Sequence, residues 1–85
     1  MSVTEILVFG ADWCLPCRKL EQKLPILRRE FGEQISITKI DIDQRSDVAE
    51  QYGIRGIPTL VVLRGDAIIF TLVGDRTESE LQQIF

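Results

Sequence analysis

The 85-residue sequence predicts an α/β fold in which one four-stranded mixed sheet is flanked by helices, in the order β-α-β-α-β-β-α. Three observations predict it. A continuous apolar run, Ile6 to Phe9, reads as a strand buried on both faces, and a long amphipathic stretch follows it. A second strand pattern comes directly after that stretch, so the two strands are joined by a helical crossover and are expected to be parallel, with a right-handed connection. Near the C-terminus two strand patterns flank Gly65-Asp66, a two-residue hairpin signal.

Each element has its own reasons. After a loop at Gly10 to Trp13, a helix is expected from about Cys14–Pro16 to Phe31. Leu20, Leu24, Leu27 and Phe31 recur at spacings of three and four and share one face. Lys19, Glu21, Gln22, Arg28 and Arg29 take other faces. Pro25 is expected to kink this helix, and Gly32 to stop it. Ile35 to Ile42 reads as a strand, with Ile35, Ile37, Lys39 and Asp41 on one face. Ser46 or Asp47 opens a short helix to Tyr52, which Gly53 ends. Thr59 to Arg64 and Ala67 to Val73 are the hairpin strands. Thr77-Glu78-Ser79-Glu80 is a capping box that opens a last helix, holding Leu81 and Ile84 and running to Phe85.

Composition narrows the function. A chain of this length is expected to form one domain over residues 1–85. Hydrophobic residues make up 45% and charged residues 27%, a globular balance. The net charge of −3 argues against nucleic acid as a partner, since a phosphate-binding face is basic. There is no apolar run of membrane-spanning length, and the first residues show neither a basic nor a long apolar stretch, so no membrane segment and no secretory signal are expected. The chain has no histidine and two cysteines. That removes Ser-His-Asp and Cys-His nucleophilic machines. It also leaves two of the four ligands a structural zinc site usually takes. No metal and no cofactor are expected.

Cys14 and Cys17 are therefore the chemistry-bearing pair. Two cysteines three apart would staple only a tiny loop, and redox work is what remains for a lone Cys-x-x-Cys. In Trp13-Cys14-Leu15-Pro16-Cys17 a buried strand turns into a helix. The unpaired N–H groups and positive dipole end of a helix N-terminus favour a thiolate, so Cys14 is expected to be the nucleophile. Cys17, one turn further in and more shielded, is expected to resolve the mixed disulfide. Pro16 suits the first turn, where its missing N–H costs nothing.

At these residues the sequence resembles the thioredoxin family, over nearly the whole chain. Phe9-Gly10-Ala11-Asp12-Trp13-Cys14-Leu15-Pro16-Cys17-Arg18 is similar to the family's active-site stretch, and Lys39-Ile40-Asp41-Ile42-Asp43 to its second core strand. Tyr52-Gly53-Ile54-Arg55-Gly56-Ile57-Pro58-Thr59-Leu60 is the most specific match, and Val73-Gly74 is similar to the stretch with the glycine that lines the family's substrate groove. The resemblance implies a thioredoxin-like fold lacking the N-terminal strand and helix of full-length members. It implies that Pro58 is the cis-proline beside the cysteines. It also implies that the Ile57 backbone pairs with an extended target, and that Trp13, Ile57 and Gly74 form an apolar patch around Cys14. The implied activity is reduction of protein disulfides. Partners would be disulfide-containing target proteins and a thioredoxin reductase-type electron donor. The expected setting is a monomer in the cytoplasm, a reducing compartment.

Three positions depart from the family pattern. Its buried acidic residue falls on Val8, while the lysine that accompanies that acid survives as Lys39. Lys39 either tunes the ionisation of the thiols, alone or beside Asp12, Asp41 or Asp43, or is a snorkelling surface lysine. Gly10 replaces an aromatic residue, opening space beside the site, and Leu15 replaces a glycine between the cysteines. Competing readings are a glutathione-dependent glutaredoxin-like enzyme, a redox-inactive binding module on the same fold, and metal or iron–sulfur binding shared by two chains.

Overall fold

A computed structural model describes residues 3–83. The observed order is β1 (Thr4–Gly10), α1 (Leu15–Phe31), β2 (Ile35–Asp41), α2 (Ser46–Gln51), β3 (Thr59–Arg64), β4 (Ala67–Val73) and α3 (Glu78–Gln82), with a 3-10 turn at Gly32–Gln34. The sheet runs β2-β1-β3-β4. β1 is parallel to β2 and antiparallel to β3, and β3 is antiparallel to β4. This is the mixed sheet expected, with the helical crossover placed between its two parallel strands.

The central strands explain their own composition. β1 and β3 have neighbours on both sides and helices on both faces, so nearly every side chain of β3 is buried. Ile6, Val8, Leu60 and Val62 face α1 and α3, packing with Leu20, Leu24, Leu27 and Leu81. Phe9, Val61 and Leu63 point to the other face, where Ala49 of α2 covers them and the Phe9 and Tyr52 rings meet at 5.7 Å. The edge strand β4 is mostly exposed and carries a bulge opposite Val62/Leu63, with Ile69 the inserted residue.

α1 is one helical element from Leu15 to Phe31 and continues through Pro25. Four apolar residues of its inner face, Cys17, Leu20, Leu24 and Leu27, are buried. Their contacts with the sheet offset the backbone hydrogen bond that Pro25 cannot donate. Gly32 ends the helix at φ 52°, its N–H bonded to the Arg28 carbonyl, as a residue without a Cβ can. β1 is longer than its apolar run, because Thr4, Glu5 and Gly10 also pair with β2. The capping box at Thr77 and Glu80 is present. Ile84 and Phe85, expected in the last helix, lie outside the described residues. Among the described residues, no helix is long and apolar enough to cross a membrane.

Candidate active site

β1 ends at Gly10 and the chain turns through Ala11, Asp12 and Trp13, closed by the Cys14 N–H on the Ala11 carbonyl at 3.2 Å. Cys14 is then the N-cap of α1, with extended backbone. Its Sγ accepts the Cys17 backbone N–H at 3.2 Å, the place a Ser or Asp side chain takes in an ordinary cap. Cys14 and Cys17 are joined as a disulfide with Cα atoms 5.2 Å apart. Pro16 falls in the first turn.

The expected contrast in exposure between the two sulfurs is small. Cys14 is 5% exposed and Cys17 2%, because Ala11, Ile42 and Ile57 pack around both in the bonded state. Position on the helix separates them better. Cys14 occupies the cap, and Cys17 is already on the buried face of α1 with Leu20 and Leu24.

The surrounding wall comes from three loops. Trp13 is 69% exposed, yet its indole Nε1–H donates to Asp43 Oδ2 at 2.9 Å, which holds the ring beside the pair. Asp43 is held in turn, its N–H donating to Asp41 Oδ1 at 2.8 Å. Ile57 packs against the cysteine cluster, and the Ile57–Pro58 bond is cis. Gly74, at φ 94°, donates its N–H to the Pro58 carbonyl at 2.8 Å, so the end of β4 is fixed to the segment before β3. Val73 is exposed, close to where a Cβ on Gly56 would lie. Lys23 of α1 completes the frame, donating to Asp75 Oδ1 at 2.9 Å and to the Arg76 carbonyl at 2.8 Å.

The structure thus packs Ile57 against Cys14 and Cys17, with Trp13 next to Cys14 in the chain, Pro58 joined to Ile57 by the cis bond, and Gly74 bonded to Pro58. Lys39 lies on β2. It is an edge-strand residue whose side chain is 55% exposed, and its ion pair is with Glu21 of α1 at 4.0 Å. The sequence offered Asp12, Asp41 and Asp43 as its neighbours, and the ion pair with Glu21 is an additional contact. Asp12 and Asp41 do line the same groove, of about 280 Å³, together with Val8, Gly10, Ala11, Glu21, Lys39 and Ile40. Sequence reasoning missed Glu21 as the partner of Lys39, and Asp43 as the anchor of Trp13. Among the described residues, no cluster of three or more His, Cys, Asp or Glu is placed to hold a metal ion.

The family model described as Thioredoxin matches residues 2–85. A thioredoxin of Bacillus subtilis (strain 168) is 38% identical over 76 residues, spanning 89% of this chain and 73% of that protein. A thioredoxin of Streptomyces clavuligerus is 41% identical over 73 residues, 86% of this chain and 67% of that protein. Among solved structures, the germline-specific thioredoxin Deadhead of Drosophila melanogaster superposes with a TM-score of 0.89 at 30% identity, covering 96% of this chain and 77% of that one. A malaria parasite thioredoxin-2 reaches 0.93 at 20% identity, covering 98% and 81%, a likeness of fold. A vicinal cysteine pair capping the helix after the first strand, within a fold and sequence shared with these proteins, makes this chain a member of the thioredoxin family and a thiol–disulfide oxidoreductase acting on protein disulfides.

Proposed function

We propose that Cys14 attacks the target disulfide and Cys17 resolves the intermediate. The observation that carries this reading is the Cys17 N–H directed at Cys14 Sγ from the first turn of a 17-residue helix. An amide that donates to the sulfur in the disulfide also stabilises a thiolate there, and charge-assisted bonds are the stronger kind. In the reduced protein the Cys14 thiolate displaces one sulfur of the target and forms a mixed disulfide. The Cys17 sulfur then attacks Cys14, expels the second target thiolate and regenerates the Cys14–Cys17 bond. Two electrons pass to the target, and both cysteines end oxidised.

Trp13, Ile57 and Gly74 form the target-binding rim in this reading, and Pro58 shapes it through the carbonyl that holds Gly74. The Ile57 backbone offers its edge to an extended target segment, as in strand addition. Targets are disulfide-containing proteins, bound by a monomer in the cytoplasm, with electrons returned by a thioredoxin reductase-type donor. The comparisons support the donor class through the named thioredoxins.

Cys14→Ser is expected to abolish disulfide reduction, and Cys17→Ser to accumulate covalent complexes with the target, read on non-reducing gels. Activity surviving Cys14→Ser sinks the assignment. Turnover with a thioredoxin reductase and NADPH, against turnover with glutathione alone, decides the electron source.

A further inference from the structure

Gly74 has no side chain to anchor it, so its place at the rim depends on what holds the chain around it. It opens a short strap, residues 74–76, between the end of β4 at Val73 and the Thr77 cap of α3. On one side the Gly74 N–H donates to the Pro58 carbonyl at 2.8 Å. On the other, Lys23 Nζ donates to Asp75 Oδ1 at 2.9 Å and to the Arg76 carbonyl at 2.8 Å, across 52 and 53 residues of sequence. The Arg76 guanidinium donates to the Val73 carbonyl at 3.0 Å, a link between near neighbours that shapes the turn without placing it on the molecule. Lys23 is the side chain that joins the strap to α1.

The join is firmer than a surface ion pair. Lys23 lies three residues after Leu20 and four before Leu27, beside the buried stripe of α1. A lysine so placed lays its stem along apolar surface and carries its ammonium outward. The Lys23 and Asp75 side chains are 25% and 30% exposed, whereas those of Lys39 and Arg45 in their own pairs are 55% and 60% exposed. Open pairs contribute little, but Lys23 commits its ammonium to a carboxylate and a main-chain oxygen at once. The helix it belongs to also carries Cys14 at its N-cap and Cys17 in its first turns. Trp13 has its own anchor in Asp43, and Ile57 packs directly on the cysteines. Gly74 is the rim residue that reaches α1 through a strap.

We propose that Lys23 is a positioning residue for target binding: by fixing the 74–76 strap to α1, it holds the Gly74 main chain at a set place relative to Cys14, so that an extended target segment meets a preformed edge. The proposal rests on Gly74 being part of the target-binding rim. An edge that is already ordered adds no ordering cost when the target docks. Without Lys23 the strap keeps only the Gly74–Pro58 bond and its links to near neighbours. The loss then falls on docking of an extended target. The thiol chemistry is spared, because the Cys17 N–H that faces Cys14 Sγ belongs to the first turn of α1 and not to the strap.

Two bimolecular rate constants of the reduced protein test this. One is measured with insulin, a protein disulfide, and one with 5,5′-dithiobis(2-nitrobenzoate), a small disulfide with no extended segment to dock. Lys23→Met keeps the stem and removes the donors. It is expected to slow the insulin reaction about tenfold, the worth of one charge-assisted hydrogen bond, and to leave the small-disulfide reaction within about twofold. Lys23→Arg, which keeps charge and donors, recovers most of the insulin rate. Exchange of the Gly74 amide quickens in Lys23→Met relative to the Glu80 amide of the capping box. Asp75→Asn, which removes only the ionic partner, shows the same pattern more weakly and serves where Lys23→Met does not fold. An insulin rate within about twofold of the unaltered protein, an equal fall with both disulfides, unchanged Gly74 exchange, or no recovery in Lys23→Arg overturns the role of Lys23. Ile57→Ala tells this failure from that of the rim. If it slows the insulin reaction where Lys23→Met does not, the strap alone is overturned. If Ile57→Ala leaves that reaction unchanged, the rim assignment is overturned and the role of Lys23 with it.

Discussion

A Cβ placed on Gly10 would lie 3.1 Å from Cys17 Sγ and 3.3 Å from its Cβ, inside ordinary van der Waals separation. Room for side chains is the issue at this residue, since Gly10 is not among the glycines with positive φ. The sulfur occupies the space a Gly10 side chain would need, and Cys17 is fixed on the inner face of α1 beside Leu20 and Leu24. Gly10→Val is therefore expected to destabilise the oxidised protein by about 1–3 kcal/mol, the usual cost of overpacking. Denaturant unfolding of the variant checks it, and an unchanged midpoint would show that Cys17 can move aside. The sequence alone pointed to extra space at Gly10. It did not show that the space ends on the inner sulfur, because that depends on how α1 lies across β1.

Among the elements, α3 shows how a short helix is held. It has five residues, too few to be stable alone, and buries Leu81. Its start is secured by the Thr77 side chain accepting the Glu80 N–H at 3.1 Å, and by Glu80 Oε1 accepting the Thr77 N–H at 3.2 Å. Thr77→Ala is expected to cost about 1 kcal/mol, read as a shift in unfolding midpoint with unchanged slope. The Thr77 N–H, followed by the Arg76 guanidinium, holds the Glu80 carboxyl below the usual carboxylate range. A carboxyl depressed in the folded state stabilises fully above its unfolded range, and that contribution disappears as the pH falls through the folded value. Amide exchange in α3 is thus expected to quicken as the pH drops below the usual carboxylate range, relative to β1 and β3. In Glu80→Gln that extra acid sensitivity is absent.

How far such elements were legible depended on where their causes lie. The hairpin strands Thr59–Arg64 and Ala67–Val73 begin and end where the sequence places them, because Gly65 takes φ 63° and the turn is local. The capping box was equally local. β1 outgrew its apolar run because Gly10 pairs with β2, and Thr4 and Glu5 with both β2 and β3. The Lys39–Glu21 pair was illegible for the same reason, as it forms only once α1 is laid over the sheet edge.

For the whole molecule, size sets the margin. Eighty-five residues correspond to roughly 4–13 kcal/mol of folding stability at typical values per residue. The core is split by the sheet into two layers, and the layer under α1 holds Ile6, Leu20, Leu24, Leu27, Leu60 and Leu81. Leu24, 1% exposed, packs at its centre. Leu24→Ala is expected to cost about 2–5 kcal/mol, a large share of that margin. Calorimetry or urea unfolding measures it, and a loss below about 1 kcal/mol would mean the layer can close around the gap.

Residues three apart in a helix have Cα atoms about 5 Å apart, within the span a disulfide accepts. The 5.2 Å separation of Cys14 and Cys17 is therefore supplied by the first turn of α1 itself. Opening and closing the bond at that separation is expected to ask for movement of two sulfur atoms more than of the main chain. The scaffold is therefore expected to serve as one frame at both ends of the redox cycle, leaving the free energy exchanged with a target to the chemistry and not to reshaping the protein.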